Sequence, residues 1–517
     1  MSSLTSVSEP ATLTARQRWA PFFAAFGIIF SLMLLWSIAS PLMSSPDEPA
    51  HAIRAEAVVR GQLSGTPVAG HPGAEKVLVP RYVADPGYVC YAFKPSVSAA
   101  CQPALTTSPD TLVEGQTTAT LNTPLFYYLA GLPSLVLSGH AALYAMRIMV
   151  ALMSAVLLAI VFMMIRQQSR STFSLVSAAI AVTPMVLFLS GTLNPNPVEA
   201  CAAAALFTTL VITLRTPSSR AMLWERAILI AFSTLMLVST RSISLVWLLC
   251  IAVVALILAK REFLVRVFTR PAAWVGTALS GIFAILALWF FMLPKSGTIG
   301  DTSIAVGAGT DWKTAFVRMI DKALDYDSGV VGYFGWLDTP APTITYAIWI
   351  VAIGGLLLLA GVIGFARHRI ALLVWALVAL FLPAIVQAAL VFNWGWVWQG
   401  RYILAAFMCL VITAGITLDA VGAIPRTRMV QRALVTVSIL LAFAQLAAFV
   451  YTLKRYVVSG TGWRQMVLHP EWQPPLGWIT LCILFAIVLT VGVLVLRREF
   501  SAAAASRPLV TASRSAV

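Results

Sequence analysis

Charge is what this chain has least of. Only 11% of its 517 residues are Asp, Glu, Lys or Arg, against 59% hydrophobic, and the mean hydropathy is +0.87. No soluble core needs that much apolar sequence, so a water-soluble globular domain is excluded. Recognisable catalytic punctuation is also missing. There is no Walker A loop, no GxGxxG, no HExxH and no Ser-His-Asp pattern, which argues against nucleotide-fuelled, zincin-type or serine-hydrolase chemistry. Histidine is scarce, with five residues, and six cysteines show no metal-finger spacing. Acids are outnumbered, 20 against 35 bases. The resulting +15 does not indicate nucleic acid, because the bases gather in short connectors between apolar runs, as the positive-inside rule requires.

What is present is a series of apolar runs near membrane-spanning length. The first, Ala20 to Met43, is too long for a signal-peptide core and lacks a small-residue cleavage site, so it reads as a retained span. Further spans are expected at about 141–165, 172–191, 200–214 after an outer turn at 194–199, 226–239, 243–259, 273–293, 343–365, 370–392, 403–420, 433–451 and 479–496. The segment 122–138 reads as an interfacial or re-entrant helix, because counting it as a span would put Arg166 and Arg170 outside. The expected fold is thus an all-α polytopic membrane protein with about twelve transmembrane helices and two large outer loops. Residues 1–19 form a cytoplasmic tail, 20–496 the transmembrane domain with outer loops at about 44–140 and 294–342, and 497–517 a disordered cytoplasmic tail. Four cysteines lie in apolar runs and read as small buried hydrophobes. Cys90 and Cys101 share the first outer loop, where a disulfide is expected.

The chemistry-bearing stretch is Ser45-Pro46-Asp47-Glu48-Pro49-Ala50-His51, where the first span meets water. Pro49 suits the first turn of a helix. A helix starting there puts Asp47, His51 and Arg54 on one face at i, i+4 and i+7, with Glu48 beside them. Asp before Glu-Pro is equally an N-cap signature. His51 is a candidate shuttle, although a lone histidine is more often a hydrogen-bond partner.

Arg147, Arg241 and Arg401 fall at outer ends of spans, level with Asp47. Arg401 follows Gly400, which permits close backbone approach, and its neighbours Trp394, Trp396, Trp398 and Tyr402 suit packing or stacking on a ligand. A guanidinium there suits a phosphate; snorkelling to headgroups is the competing reading, strongest for Arg147. Asp338, after Gly335-Trp336-Leu337, reads either as a site acid or as a cap on the next span. Glu199 reads as an acid favoured by a helix dipole. Tyr127 and Tyr128 suit the headgroup zone.

Taken together, the Asp-Glu pair after span one, the long outer loop, Asn122-Thr123-Pro124-Leu125-Phe126-Tyr127-Tyr128 and the arginine at the start of span two resemble the GT-C superfamily of membrane glycosyltransferases. More narrowly, Pro46-Asp47-Glu48-Pro49-Ala50-His51, Gly335-Trp336-Leu337-Asp338 and Trp398-Gln399-Gly400-Arg401-Tyr402 resemble a bacterial membrane family catalogued as a domain of unknown function. The resemblance implies a GT-C-like fold and a polyprenyl-phosphate sugar donor. Asp47 would be the general base, with Glu48 the other catalytic acid. Arg401, with Arg241 and Arg147, would hold the donor phosphate. His51, Arg54, Tyr127, Tyr128, Asp338, Trp398, Gln399 and Tyr402 would line the substrate site. A divalent metal occurs in some relatives; Asp47, Glu48 and Asp338 are the ligand set in view. The expected reaction is inverting transfer, with arabinofuranose one candidate sugar, to a cell-envelope glycan, lipoglycan or protein on the outer face of a bacterial cytoplasmic membrane. The competing class is a transporter or flippase of lipid-linked intermediates, which predicts broken spans in both halves and charges near the midplane.

Overall fold

A computed structural model describes residues 15–69, 73–104, 108–168, 170–293, 306–424, 427–460 and 462–505. Ten helices in these segments are long and apolar enough to cross a membrane: Ala15–Ala39, Gly139–Arg166, Pro195–Thr213, Arg220–Val238, Pro271–Met292, Thr343–Ile363, Ala366–Trp394, Gly400–Val421, Arg428–Val458 and Trp478–Ser501. The chain is therefore an all-α polytopic membrane protein in its spanning body. The remaining two expected spans take other forms. Residues 172–191 are not one rod but Thr172–Ala181 and Pro184–Ser190, bent by 59°. The break sits at Thr183-Pro184, where proline cannot continue the hydrogen-bond ladder and the Thr183 hydroxyl accepts from Val186 N to start the second piece. Ser244–Leu258 is a helix of 15 residues, about 22 Å long, shorter than a hydrocarbon core.

The helix Ala15–Ala39 packs along Gly139–Arg166, and Pro195–Thr213 and Gly400–Val421 are the most enclosed spans. Their small and branched residues, among them Ala200 to Ala205, allow close approach. Lipid-facing spans such as Pro271–Met292 and Thr343–Ile363 instead expose Ile285, Trp289, Ile350 and Val351. The last helix does not stop at Leu496. It runs on through Arg497 and Arg498 to Ala505, so the part of the expected tail that is described is helical. The rest of that tail, and residues 1–14 of the N-terminal one, lie outside the described residues.

The two large loops and the turn at 395–403 meet at one end of the bundle, here termed the loop face. The first loop opens with the helix Glu48–Val59. Against it lies a three-stranded antiparallel sheet, Thr66–Pro67, Glu75–Pro80 and Leu112–Thr117, in the register Glu75 opposite Thr117 and Pro80 opposite Leu112. Val77 and Val79 face inward from alternate positions. Among the described residues this sheet and a two-stranded hairpin in the second loop depart from the expected all-helical plan. Residues 122–138 form a helix, Pro124–Gly131, and a 3-10 turn, Leu132–Leu135, leaving Leu135, Val136 and Leu137 exposed as an interfacial segment does.

Cys90 and Cys101 are joined, with Cα atoms 6.1 Å apart. Their loop is tied down from two sides. Tyr91 donates its hydroxyl to Leu42 O, and Arg455 donates to the carbonyls of Tyr91, Lys94 and Val97. The second loop ends in a hairpin, Tyr333–Phe334 paired with Thr339–Pro340. Its Trp336 donates to Met43 O at 2.9 Å, so the hairpin too rests on the exit of the first span.

Candidate active site

The corner Ser45–Glu48 sends its two acids in opposite directions. Asp47 sits at the N-cap position of the helix Glu48–Val59, in the left-handed region at φ +65°, and makes no capping bond. Asparagine and aspartate tolerate this conformation better than other side chains. The N-cap reading is thereby set aside: the carboxylate points elsewhere. Its side chain is 49% exposed while Ser44, Ser45, Pro46 and Glu48 around it are buried.

Glu48 turns inward. Its Oε1 lies 2.6 Å from Arg147 Nε and its Oε2 2.9 Å from Nη2, and it also accepts from Ser45 N and Leu193 N. Arg147 spends its remaining donors on Ser37 O, Ser40 O, Pro41 O and Ser44 Oγ. Both residues are 1% exposed. Glu48 as a catalytic acid and Arg147 as a phosphate ligand are therefore corrected. The five N–H groups of a guanidinium are all satisfied here, and the pair holds the end of span one against span two.

Asp47 meets Arg401. Arg401 Nη2 donates to Asp47 Oδ2 at 2.6 Å. Arg401 is 2% exposed, and its Nε and Nη1 have no partner among the described residues. Charged donors buried without partners are costly, so a polar ligand that completes them is the physical expectation. The guanidinium of Arg401 also lies 5.4 Å from the Tyr402 ring, and that of Arg241 lies over the same ring at 4.0 Å. One aromatic side chain thus gathers two cations beside one exposed carboxylate.

The turn that delivers Arg401 is clamped from below. Buried Gln387 donates to Gly395 O and accepts from Val397 N and Trp398 N. A Cβ on Gly400 would stand 2.2 Å from Tyr326 O and 3.0 Å from Gly329 Cα. Backbone cannot yield as a side-chain tip can, so Gly400→Ala is expected to push the turn outward and move Arg401 off Asp47. The expected loss is about 2 kcal/mol of stability together with most activity, read by thermal unfolding and turnover. Unchanged values in that variant would show that the turn is not so confined.

His51, one turn along from Asp47, is buried, and its Nδ1 is 2.9 Å from the Tyr127 hydroxyl. Asn122 donates to the same hydroxyl at 2.9 Å. Tyr127 is therefore enclosed in the site and not at the headgroup zone, while Tyr128 is 47% exposed. Burial depresses the His51 pKa to about 4; Asp47 opposes the shift, and Arg401 and Arg241 add to it. The folded value lies below the unfolded one of about 6.5, so the unfolded chain binds the proton first as pH falls. Stability is unaffected by this group above about pH 6.5 and declines toward pH 4, by up to about 3 kcal/mol. Thermal unfolding across that window should show the decline in the wild type. His51→Asn should lack this component; parallel curves for the two proteins would contradict the assignment.

Other expected site residues are dispersed. Arg54 is buried at the sheet side of its helix, its charge facing Tyr127 and Glu75, with its pKa lowered by burial. It does not share the open face with Asp47. Trp398 is buried edge-on to Tyr402, and Gln399 has a buried Oε1 without a partner among the described residues. Asp338 accepts from Arg455 Nη2 at 3.1 Å and from the Thr339 hydroxyl, and so fixes the hairpin; the N-cap position of the following helix is Pro342. The three acids considered for a metal each pair with a different arginine. Among the described residues no group of three His, Cys, Asp or Glu is placed to hold one. Residues the sequence gave little reason to choose are Asn122, Asn196, Glu199 and Arg455. The last was hidden because hydropathy ends its span near residue 451 whereas the helix runs to Val458.

The fold and this cluster define a multi-pass membrane protein with a carboxylate and two arginines at one end of its bundle. The chain belongs to the family described as predicted membrane protein (DUF2142), whose model matches residues 30–411, an interval holding Asp47, His51, Tyr127, Arg241, Arg401 and Tyr402. Among solved structures it is similar to the crystal structure of ArnT from Cupriavidus metallidurans bound to undecaprenyl phosphate, at 12% identity, covering 94% of this chain and 78% of that one, with a TM-score of 0.44. No curated protein matches the chain.

Proposed function

We propose that this protein is a GT-C-type glycosyltransferase that moves a sugar from a polyprenyl-phosphate donor to an acceptor hydroxyl at the outer face of the cytoplasmic membrane, with inversion. The catalytic unit is the transmembrane domain, residues 20–496, with the loop face outside. The observation that carries the reading is Arg401, which holds Asp47 with Nη2 and, among the described residues, has Nε and Nη1 unpaired. Base and leaving group then lie on the two sides of one guanidinium. Asp47 takes the acceptor proton through the oxygen that Arg401 does not hold. The acceptor oxygen bonds to the anomeric carbon from one side as the carbon–oxygen bond to phosphate breaks on the other. The departing phosphate gains negative charge, which Arg401 and Arg241 stabilise. Tyr402 lies against both cations.

The donor sugar is open between arabinofuranose and hexoses, and the acceptor between a cell-envelope glycan, a lipoglycan and a protein. The deciding experiment incubates purified protein with a panel of decaprenyl- and undecaprenyl-phosphate sugars. Released lipid phosphate and a glycosylated acceptor are expected. Intact donor throughout the panel, with transbilayer movement of labelled lipid, would favour a flippase. The bent pair at 172–190 is the feature that suits that second reading, but among the described residues it has no counterpart in the other half.

A further inference from the structure

Glu199 is a carboxylate 2% exposed, near the start of the spanning helix Pro195–Thr213. A helix dipole rewards an acid at the first turn, but it does not require one this deeply enclosed. Ser244 and Arg241 are two of its polar neighbours. The Ser244 hydroxyl donates to Oε1 at 2.8 Å, and Arg241 Nη1 lies 3.7 Å from Oε2. Arg241 Nη1 also donates to the side-chain oxygen of Asn196 at 2.6 Å. Asn196 is buried, and its own N–H is held by the Asn194 side chain in the turn Asn194-Pro195-Asn196-Pro197.

Arg241 therefore leaves the break between two helices with its charge fixed on three sides. Asn196 binds one terminal nitrogen, Glu199 lies behind it, and Tyr402 forms a floor under the guanidinium plane. Its side chain keeps 22% exposure, whereas that of Glu199 keeps 3%. The acid is walled off and the cation faces outward, which is the arrangement of a support and not of a second reacting group.

We propose that Glu199 and Asn196 are positioning residues that hold Arg241 over Tyr402 for the anionic phosphate of the lipid donor. This rests on the donor-site reading above. It adds that the anion site is built from two separately anchored arginines: Arg401 by Asp47, and Arg241 by Glu199 and Asn196. The anchoring acid of Arg241 is screened from the reacting atoms, so it neutralises and orients without competing for the acceptor proton. Asp47 is the one exposed to them.

The test is a double-mutant cycle. Glu199→Gln keeps an acceptor for Ser244 and replaces the charged oxygen facing Arg241 with an amide NH2. Alone it is expected to raise donor KM and lower kcat/KM about tenfold, with acceptor KM unchanged. In an Arg241→Ala background the same change should cost nothing more, because the residue it supports is gone. Glu199→Asp should recover part of the loss. Asn196→Ala provides a second entry to the cycle if Glu199→Gln does not fold. Titration of undecaprenyl phosphate against the same proteins reads the coupling without turnover. If the wild type binds the lipid phosphate but transfers no sugar, the glycosyltransferase reading fails while the anchoring is still tested. A normal donor KM and normal lipid-phosphate affinity in the single variants, or equal losses in both backgrounds, would overturn the proposal. So would absence of lipid-phosphate binding by the wild type.

Discussion

Asp47→Asn is expected to reduce turnover by about 10²–10⁴-fold while the protein remains folded. The carboxylate is half exposed and joined to the rest of the chain mainly through Arg401. The pair is solvated on the Asp47 side and the amide oxygen can still accept from Arg401 Nη2, so thermal unfolding should stay near the wild-type value. The amide keeps the shape and can still face the guanidinium, but it cannot accept the acceptor's proton. Donor binding should survive or tighten, because the variant removes a negative charge beside the phosphate. Glu48→Gln is the control, and its phenotype is the reverse. Glu48 is buried on Arg147, and breaking such a pair costs about 3–5 kcal/mol. Two adjacent acids thus give opposite outcomes: a folded, inactive protein and a destabilised one. Near-normal turnover in Asp47→Asn would remove it from the role of base.

Arg401→Lys should be nearly as damaging as Arg401→Ala. A lysine can reach Asp47 with a point charge but has no second and third donors arranged in a plane. The two nitrogens that matter, Nε and Nη1, are the ones a lysine cannot reproduce. Because phosphate charge grows as the glycosidic bond breaks, the contact strengthens in the transition state, and both kcat and donor KM should worsen. The loss expected in kcat/KM is about 2–4 kcal/mol, or about 30- to 1,000-fold. Steady-state kinetics with donor varied at saturating acceptor measures it. Lysine restoring wild-type values would reduce Arg401 to a charge partner for Asp47, and the phosphate site would have to be sought at Arg241.

Much of this site was legible in the sequence because its residues are chemically conspicuous in an apolar chain. Asp47, His51, Arg241 and Arg401 stand out as polar groups at span ends, where hydropathy alone locates them. Their pairing was not legible. Asp47 and Arg401 are 354 residues apart, and Glu48 and Arg147 are 99 apart. Arg147 at a span end looks the same in sequence whether it binds a ligand, a headgroup or a buried glutamate. Cys90 and Cys101 were readable because the pairing is local. The loop-face sheet has a period-2 signal only six residues long in Glu75–Pro80, too short to stand out from a loop rich in glycine and proline. The bend at Thr183-Pro184 did carry a signal, since proline inside an apolar run marks a break. The continuous hydropathy across it outweighed that signal. Glu199 needed the third dimension, because its partner Arg241 comes from the far end of the next helix.

Determination of the structure with a polyprenyl phosphate bound, by electron cryo-microscopy in a lipid nanodisc, tests the central claim most directly. The predicted result is a phosphate at about 2.7–2.9 Å from Arg401 Nε and Nη1, with Arg241 facing the same group and Nη2 still on Asp47. A phosphate seated away from both arginines, or one that occupies Nη2 and leaves Asp47 unpaired and turned from the lipid, would contradict it.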